Sequence, residues 1–138
     1  MKVLTFKADI DWKDYEGYVY RVTELSTSKF YIGRKNLYSK RTVKGKKNKV
    51  KTESNWQSYR TSSKNLSSKI KEFPDNYTFE ILCWCKDSSA LSYMEMKYMM
   101  EYDCMTSELS YNENCRITLM NKLINITNRV TITKRSDK

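Results

Sequence analysis

The alternation of apolar and polar positions near the start of the chain predicts a β-hairpin. Residues 18–23 form a β-favouring Tyr-Val-Tyr-Arg-Val-Thr run, residues 26–29 have the composition of a turn, and residues 30–33 form a second short apolar run. Aromatic and β-branched side chains are enriched in strands, and serine is frequent in turns. We therefore expect two antiparallel strands within residues 17–33. Residues 1–16 have a weak, mixed pattern.

A helical period follows between residues 62 and 73. Leu66, Ile70 and Phe73 recur at intervals of four and three residues, which is the spacing of one helix face. Either of two adjacent serines at the start can cap this helix, and Pro74 marks its end. The sequence therefore predicts one short amphipathic helix after the hairpin.

A third strand and a longer helix make up the next part of the chain. In residues 77–85 both alternating sets of side chains are largely apolar, which predicts a central strand covered on both faces. One set is Phe79, Ile81 and Cys83, and the other is Glu80, Leu82 and Trp84. Asp87 is typical of a helix N-cap, and an apolar stripe runs from there to about residue 105.

These elements predict a small α/β (α+β) protein with a single domain. Their order is β-β-basic segment-α-β-α-tail, and the tail contains a further candidate strand at residues 130–133. We expect a mainly antiparallel, three-stranded central sheet flanked by helices. The expected domain spans residues 17–114, with an N-terminal extension at 1–16 and a basic C-terminal extension at 115–138.

The charge of the chain narrows the class of partner. A formal net charge of +10 favours a polyanion, because lysines and arginines placed on phosphates release condensed counterions. Residues 34–51 hold much of this charge and contain no acid. Such a run is often only a solvated face, so it does not by itself identify DNA. Within it we expect a helical start at residues 37–41 and an exposed loop at 44–49.

Two absences restrict the chemistry further. The chain contains no histidine, which removes the commonest general base and the metal sites that use imidazole. Four cysteines are spaced unlike a zinc site, so we expect free thiols at Cys83, Cys85, Cys104 and Cys115. No apolar run suits a membrane span or a secretion signal, so we expect a cytoplasmic protein without a membrane partner.

Three residues are candidates for chemistry. Glu95 falls inside the apolar stripe of the second helix, where a carboxylate is costly unless it is paired, protonated or bound to a metal. An ordinary salt bridge would explain it equally well. Tyr20 and Tyr31 lie eleven residues apart on adjoining strands, so both hydroxyls can converge if they share a face. An ordinary aromatic cross-strand pair is the alternative.

With these residues the chain resembles the GIY-YIG nuclease superfamily, and most of all its phage-type homing-endonuclease branch. Residues 18–20 take the place of GIY, and residues 31–33 read Tyr-Ile-Gly, with the family's spacing between the two tyrosines retained. Residues 56–64 resemble the segment with a tryptophan, a tyrosine and Ser-Ser-Lys that opens a helix in many phage members. Further points of resemblance are the third strand at residues 79–82, the glutamate Glu95 and the Tyr-Asn pair at residues 111–112.

The resemblance implies an active site. Tyr20 and Tyr31 would orient or deprotonate the attacking water, Glu95 would hold one divalent cation, and Asn112 would support the site or a phosphate. The expected cation is Mg²⁺, with Mn²⁺ as the alternative, because a lone carboxylate with phosphate and water suits ions that prefer oxygen. The candidates for the family's catalytic arginine are, in order of preference, Arg41, Arg34 and Lys35. The expected DNA-binding residues are Arg34, Lys35, Lys40, Lys44, Lys46, Lys47, Lys49, Trp56, Tyr59, Arg60 and Lys64.

The sequence therefore predicts a GIY-YIG endonuclease that hydrolyses phosphodiester bonds in duplex DNA with one metal ion. A site of this kind cuts one strand per visit, so cutting both strands requires a homodimer on the DNA or two visits. One alternative is an inactive protein of this fold that only binds nucleic acid, and another is a small protein-binding factor. If the gene belongs to a phage, the expected compartment is the cytoplasm of the bacterial host.

Overall fold

The computed structural model describes residues 1–4, 11–41, 44–45, 47, 50–115, 117 and 122–133, with residues 40, 41 and 50 described by their backbone alone. The strands in these ranges are β1 (Lys2–Leu4), β2 (Gly17–Glu24), β3 (Phe30–Asn36), β4 (Tyr38–Arg41), β5 (Val50–Glu53), β6 (Tyr77–Cys85) and β7 (Val130–Ile132). The α-helices are α1 (Lys64–Glu72) and α2 (Ser88–Glu101).

The centre of the fold is an antiparallel sheet of three strands. β2 pairs with β3 along one side and with β6 along the other. The run of β-branched and aromatic residues in β2 favours this extended, doubly paired position. The predicted hairpin, the central third strand and the mainly antiparallel sheet are therefore confirmed.

Two short strands widen this sheet on the far side of β6. β1 runs parallel to β6 at residues 78–80, and β7 runs antiparallel to it at residues 83–85. β7 confirms the candidate strand in the tail. The sheet therefore has five strands where the sequence predicts three, and the segments before and after residues 17–114 both contribute to it.

The basic segment forms a separate two-stranded ribbon. β4 and β5 pair antiparallel, with Tyr38 opposite Glu53. The predicted helix at residues 37–41 is therefore wrong. Leu37 is fully buried, its backbone N–H donates to the backbone oxygen of Glu16, and its backbone oxygen accepts from the N–H of Ser54, which fixes the chain in an extended path at this point. At the tip, Lys44 and Gly45 are exposed, as expected.

The two faces of the central sheet bury different clusters of side chains. α2 covers the face that includes Val19 and Ile32. α1, through Leu66, covers the face that includes Tyr20 and Phe79. Both clusters are rich in large apolar and aromatic groups, so the sheet is covered on both sides as predicted.

A β-bulge in β6 changes which residues share a face. Val19 lies opposite Cys83 but Tyr20 lies opposite Ile81, so Leu82 is the extra residue. The sequence predicts Cys83 on the same face as Ile81, and this is wrong, because the extra residue moves Cys83 to the α2 face. All four cysteines are free, as expected.

Both helices begin where the sequence places them. Ser63 caps α1 and Asp87 caps α2 through their side chains. α2 ends at Glu101 rather than near residue 105, because Asp103 adopts a left-handed conformation with φ of 54° and stops the helix. Neither helix in the described ranges has the length and apolar character needed to cross a bilayer.

Candidate active site

The β2–β3 hairpin places two tyrosines side by side. Tyr20 lies opposite Gly33 and Tyr31 lies opposite Val22, so both tyrosines point to the same face of the sheet. Their ring centroids are 6.2 Å apart. The ring of Tyr20 also stacks on Phe79 with centroids 5.1 Å apart. The shared face is the condition under which the spacing of the two tyrosines allows their hydroxyls to converge.

The two phenol hydroxyls have different surroundings. Tyr20 is fully buried, and its hydroxyl lies 3.2 Å from that of Tyr59. Tyr31 is half-buried, and its hydroxyl lies 2.8 Å from the Oγ of Ser62. Tyr31 therefore faces an open cleft, whereas Tyr20 is sealed beneath Tyr59.

Burial controls the ionisation of both phenols. It raises the pKa of Tyr20 well above the ordinary value, and Tyr59 and Tyr31 raise this pKa further. Burial also raises the pKa of Tyr31, a hydrogen bond with Ser62 acts in the opposite direction, and the charge of Glu95 adds to the rise. Both groups are therefore neutral phenols at neutral pH, better suited to orienting a water molecule than to deprotonating it.

Glu95 projects from α2 towards β3. Its side chain is 16% exposed, and its Oε1 lies 3.8 Å from the Nε of Arg34. The Nη1 of Arg34 donates a hydrogen bond to the Oγ of Ser92, one helical turn before Glu95. Burial raises the pKa of Glu95, and the guanidinium of Arg34 lowers it. The inward carboxylate thus meets a cation whose side chain is 41% exposed.

The tyrosines and Glu95 occupy opposite faces of the sheet near its edge. Tyr31 and Gly33 point to the α1 face, so Arg34, the next residue, points to the α2 face. β3 is the outer strand of this side of the sheet. Because the charge of Glu95 contributes to the raised pKa of Tyr31, the two groups interact electrostatically across β3. The arrangement straddles the edge strand instead of filling one pocket on one face.

Asn112 lies on the edge of β3 between these two groups. Its Oδ1 accepts a hydrogen bond from the backbone N–H of Ile32 at 2.9 Å, and its Nδ2 donates to the backbone oxygen of Ile32 at 2.8 Å. The neighbouring backbone of Tyr111 donates to Phe30 at 2.7 Å. Asn112 therefore takes the place of a paired strand residue at the sheet edge.

An open cleft of about 430 Å³ lies beside Tyr31. The start of α1 forms one wall, and the segment after residue 110 forms the other. Its lining is rich in hydroxyl, amide and charged groups, namely Tyr31, Ser62, Ser63, Lys64, Asn65, Tyr111, Asn112, Glu113 and Asn114. Such a lining suits a polar, charged ligand such as a phosphodiester.

The residues expected to bind DNA fall into three groups. Exposed side chains belong to Lys44, Lys47 and Lys64. Side chains held by contacts within the fold belong to Arg34, Lys35, Trp56, Tyr59 and Arg60. Lys40 lies on β4 and is described by its backbone alone, as is the catalytic candidate Arg41, and Lys46 and Lys49 lie outside the described residues.

The segment before α1 is built from these internal contacts. Arg60 donates to the backbone oxygens of Gln57 and Tyr59 at 2.9 and 2.7 Å. The Nζ of Lys35 lies 4.4 Å from the centre of the Tyr59 ring. These cations shape the segment that carries Tyr59 and Ser62. From the sequence, Ser62 is only a candidate helix cap and a member of the Ser-Ser-Lys segment. Its separation of 31 residues from Tyr31 offers no local signal of the contact.

The donor set near β3 fits one divalent cation held by few protein ligands. Within the described ranges, no three side chains of His, Cys, Asp or Glu come together. Mg²⁺ commonly keeps several waters and binds one or two carboxylates together with substrate phosphates. Glu95 offers one such carboxylate, and its 3.8 Å separation from Arg34 is longer than a close charged hydrogen bond. Glu95 is the residue that would hold the cation.

Comparison with known families identifies the family of the chain. The model of the family described as "Putative endonuclease segE, GIY-YIG domain" matches residues 2–122. The chain therefore belongs to this phage-type family of GIY-YIG nucleases. No curated protein and no solved structure matches the chain.

Proposed function

We propose that the protein is a metal-dependent endonuclease that hydrolyses phosphodiester bonds in duplex DNA, one strand per visit. The observation that carries this proposal is the grouping around β3, where the Tyr31 hydroxyl, the edge amide of Asn112 and the Arg34–Glu95 pair lie around one strand. The net charge of +10 supports a polyanionic substrate.

In this proposal each side chain has one task. The Tyr31 hydroxyl accepts a hydrogen bond from the attacking water, since its raised pKa keeps it neutral. The guanidinium of Arg34 faces the negative charge that develops on the phosphate as the water oxygen bonds to phosphorus and the bond to the leaving strand breaks. The proton that the water loses passes to solvent, and the leaving oxygen takes a proton from solvent. Glu95 would hold Mg²⁺, or Mn²⁺ in its place, which supplies Lewis-acid polarisation of the phosphate when bound. Asn112 keeps the strand edge in register.

Incubation with supercoiled plasmid tests this function. Wild-type protein with Mg²⁺ should convert the plasmid to nicked circles, and EDTA should prevent this. Glu95→Ala should lower the rate at least about 10²-fold. Glu101→Ala, which removes an exposed carboxylate at the end of the same helix, is the matched control and should keep the wild-type rate. If purified wild-type protein leaves unmodified and modified DNA intact with both Mg²⁺ and Mn²⁺, the proposal is wrong.

A second candidate function is nucleic-acid binding without cleavage. The complete burial of Tyr20 beneath Tyr59 favours it, because a sealed signature tyrosine cannot touch water or phosphate without a movement of its cover. This function requires affinity for DNA that falls with salt and is unchanged in Glu95→Ala, with no nicked product. The same plasmid experiment, read together with a binding titration, separates the two.

Two further features follow from the proposed reaction. A single site that cuts one strand leaves a nick, so double-strand breaks require a homodimer on DNA or two visits. Plasmid time courses distinguish these, because two independent visits accumulate nicked circles before linear DNA. We place the reaction in the cytoplasm of a bacterial host.

A further inference from the structure

We infer that Ser62 is a positioning residue that holds the Tyr31 hydroxyl in the orientation needed for hydrolysis. The inference rests on the proposed function. Its basis is the 2.8 Å contact between the Ser62 Oγ and the Tyr31 hydroxyl, at the mouth of the cleft beside Asn112.

The position of Ser62 is fixed by the residues on either side. The next residue, Ser63, caps α1 by accepting a hydrogen bond from the backbone of Leu66 at 3.3 Å. The backbone N–H of Ser63 donates to the Oγ1 of Thr61 at 3.1 Å. Leu66 is 1% exposed and anchors the first turn of α1 in the core. Ser62 is therefore an exposed hydroxyl on a rigid support, and a phenol bonded to it acquires a fixed direction.

The direction of this hydrogen bond matters for the chemistry. A phenol has one proton to donate and two lone pairs. If Ser62 donates to Tyr31, the phenol proton is free to reach a phosphate oxygen, and a lone pair is free to accept from water. A hydrogen bond that Ser62 donates also stabilises the ionised phenol, because it favours the charged form. The hydrogen bond with Ser62 lowers the pKa of Tyr31, whereas the charges of three titratable neighbours raise it, namely Tyr59, Glu95 and Cys104.

The buried partner of the other signature tyrosine provides a contrast. Tyr20 is fully buried, and its hydroxyl meets a second phenol, Tyr59, at 3.2 Å, and the side chain of Thr61. The Tyr20 side of this pair is covered, and the pair packs the sheet against the segment before α1. The Ser62–Tyr31 pair is open to the cleft, so it is the pair placed to act on substrate.

The test compares Ser62→Ala, Ser62→Thr and the control Ser68→Ala in plasmid nicking with Mg²⁺. Ser68 is an exposed serine of α1 whose hydroxyl donates only to the backbone of Lys64 among its described partners. We expect Ser62→Ala to lower kcat about tenfold with KM unchanged, the size of one lost hydrogen bond. Ser62→Thr, which retains the hydroxyl, should restore kcat to within about threefold, and Ser68→Ala should match wild type. Thermal unfolding of each variant checks that the fold is retained.

A measurement without DNA or metal separates this inference from the proposed function. Tyrosine labelled with ¹³C at Cζ, with the Tyr31 signal assigned by Tyr31→Phe, reports the hydrogen bond directly. Ser62→Ala should shift this signal and raise its titration midpoint, and Ser68→Ala should leave both unchanged. An active wild type with full kcat in Ser62→Ala, or equal losses in the Ala and Thr variants, overturns the positioning role and leaves the nuclease function intact. A wild type that cuts no DNA removes both, even if the Cζ signal still moves.

Discussion

Gly33 lies directly opposite Tyr20 in the pairing of β2 with β3, and a Cβ at Gly33 would fall 2.5 Å from the Tyr20 hydroxyl oxygen and 2.6 Å from its Cζ. The same Cβ would lie 2.9 Å from the Cε1 of Tyr31. The ring of Tyr20 cannot move aside easily, because it is fully buried and stacked on Phe79. The glycine of the Tyr-Ile-Gly motif is therefore required by the ring that crosses it.

We expect Gly33→Ala to lower the free energy of unfolding by about 1–3 kcal/mol, the usual cost of overpacking a filled core. Tyr20→Phe removes one of the three clashing atoms, so the double variant Gly33→Ala/Tyr20→Phe should lose less than the sum of the single variants. Urea denaturation of the four proteins measures this coupling. Additive losses would show that the clash is relieved elsewhere.

The hydrogen bonds of the Asn112 side chain should protect the backbone of Ile32 from hydrogen exchange. The side-chain amide bonds both backbone groups of Ile32, whereas the alternate residues Tyr31 and Gly33 turn their backbone groups towards β2. In Asn112→Ala the amide proton of Ile32 should exchange with solvent at least about tenfold faster, while those of Tyr31 and Gly33 keep most of their protection. Hydrogen exchange followed by NMR measures all three. Equal acceleration at the three sites would mean that the whole edge opens and that Asn112 does more than pair with Ile32.

The buried carboxylate of Glu24 predicts how stability depends on pH. Burial raises its pKa, but hydrogen bonds from Thr27, Tyr77 and Tyr111 and the charge of Lys69 outweigh burial and hold the pKa at about 2, against an ordinary value of 4.5. Because the folded-state pKa is depressed, the carboxylate stabilises the fold fully above about pH 4.5, and this contribution is lost as the pH falls towards 2.

Glu24→Gln should therefore lower the free energy of unfolding by about 2 kcal/mol at pH 7, since at least one donor loses its charged acceptor. The difference from wild type should shrink as the pH falls from 5 to about 2, a range set by the folded-state value. Denaturation at several pH values measures it, with the exposed Glu72→Gln as control. A constant difference across this range would contradict the prediction.

The features that sequence predicts correctly are the local ones. The hairpin of β2 and β3 and the caps Ser63 and Asp87 each depend on residues within a few positions of one another. The bulge at Leu82 could not be predicted, because it depends on how β6 pairs with β2, far away in the chain. β1 has three residues and takes its structure from β6, so its own pattern carries little signal.

The same distinction holds within the site. Spacing and resemblance predict Tyr20, Tyr31 and Glu95 as site residues, and the pairing of β2 with β3 brings the two tyrosines together. Their partners were not found, since Tyr59 and Ser62 are separated from the tyrosines by 39 and 31 residues. That the site straddles β3 also depends on tertiary packing, because only the placement of α2 decides which face Glu95 meets.

The identity of the catalytic cation is open to a direct comparison. Resemblance favours Arg41, and the 3.8 Å approach to Glu95 favours Arg34. We expect Arg34→Ala to lower kcat about 10²-fold, and Arg34→Lys to restore little, because a lysine lacks the planar fork that binds two phosphate oxygens. Arg41→Ala should weaken DNA binding more than it lowers kcat. Single-turnover cleavage at saturating protein separates the two effects, and a large loss of kcat confined to Arg41→Ala would reverse the assignment.

The ribbon of β4 and β5 should act as a DNA-backbone contact rather than as a general source of charge. Lys44 and Lys47 are exposed at its tip, and Lys71 and Lys97 are exposed on α1 and α2. The double variants are Lys44→Ala/Lys47→Ala and Lys71→Ala/Lys97→Ala. Each removes two positive charges, so both variants have the same net charge. If the ribbon contacts phosphates, the first variant alone should reduce the slope of log affinity against log salt concentration by about 2, since each contact contributes about 0.9.

Fluorescence anisotropy with a labelled duplex at several salt concentrations measures both slopes. Equal, small changes in the two variants would mean that only net charge attracts the DNA, and the ribbon would then lose its proposed role.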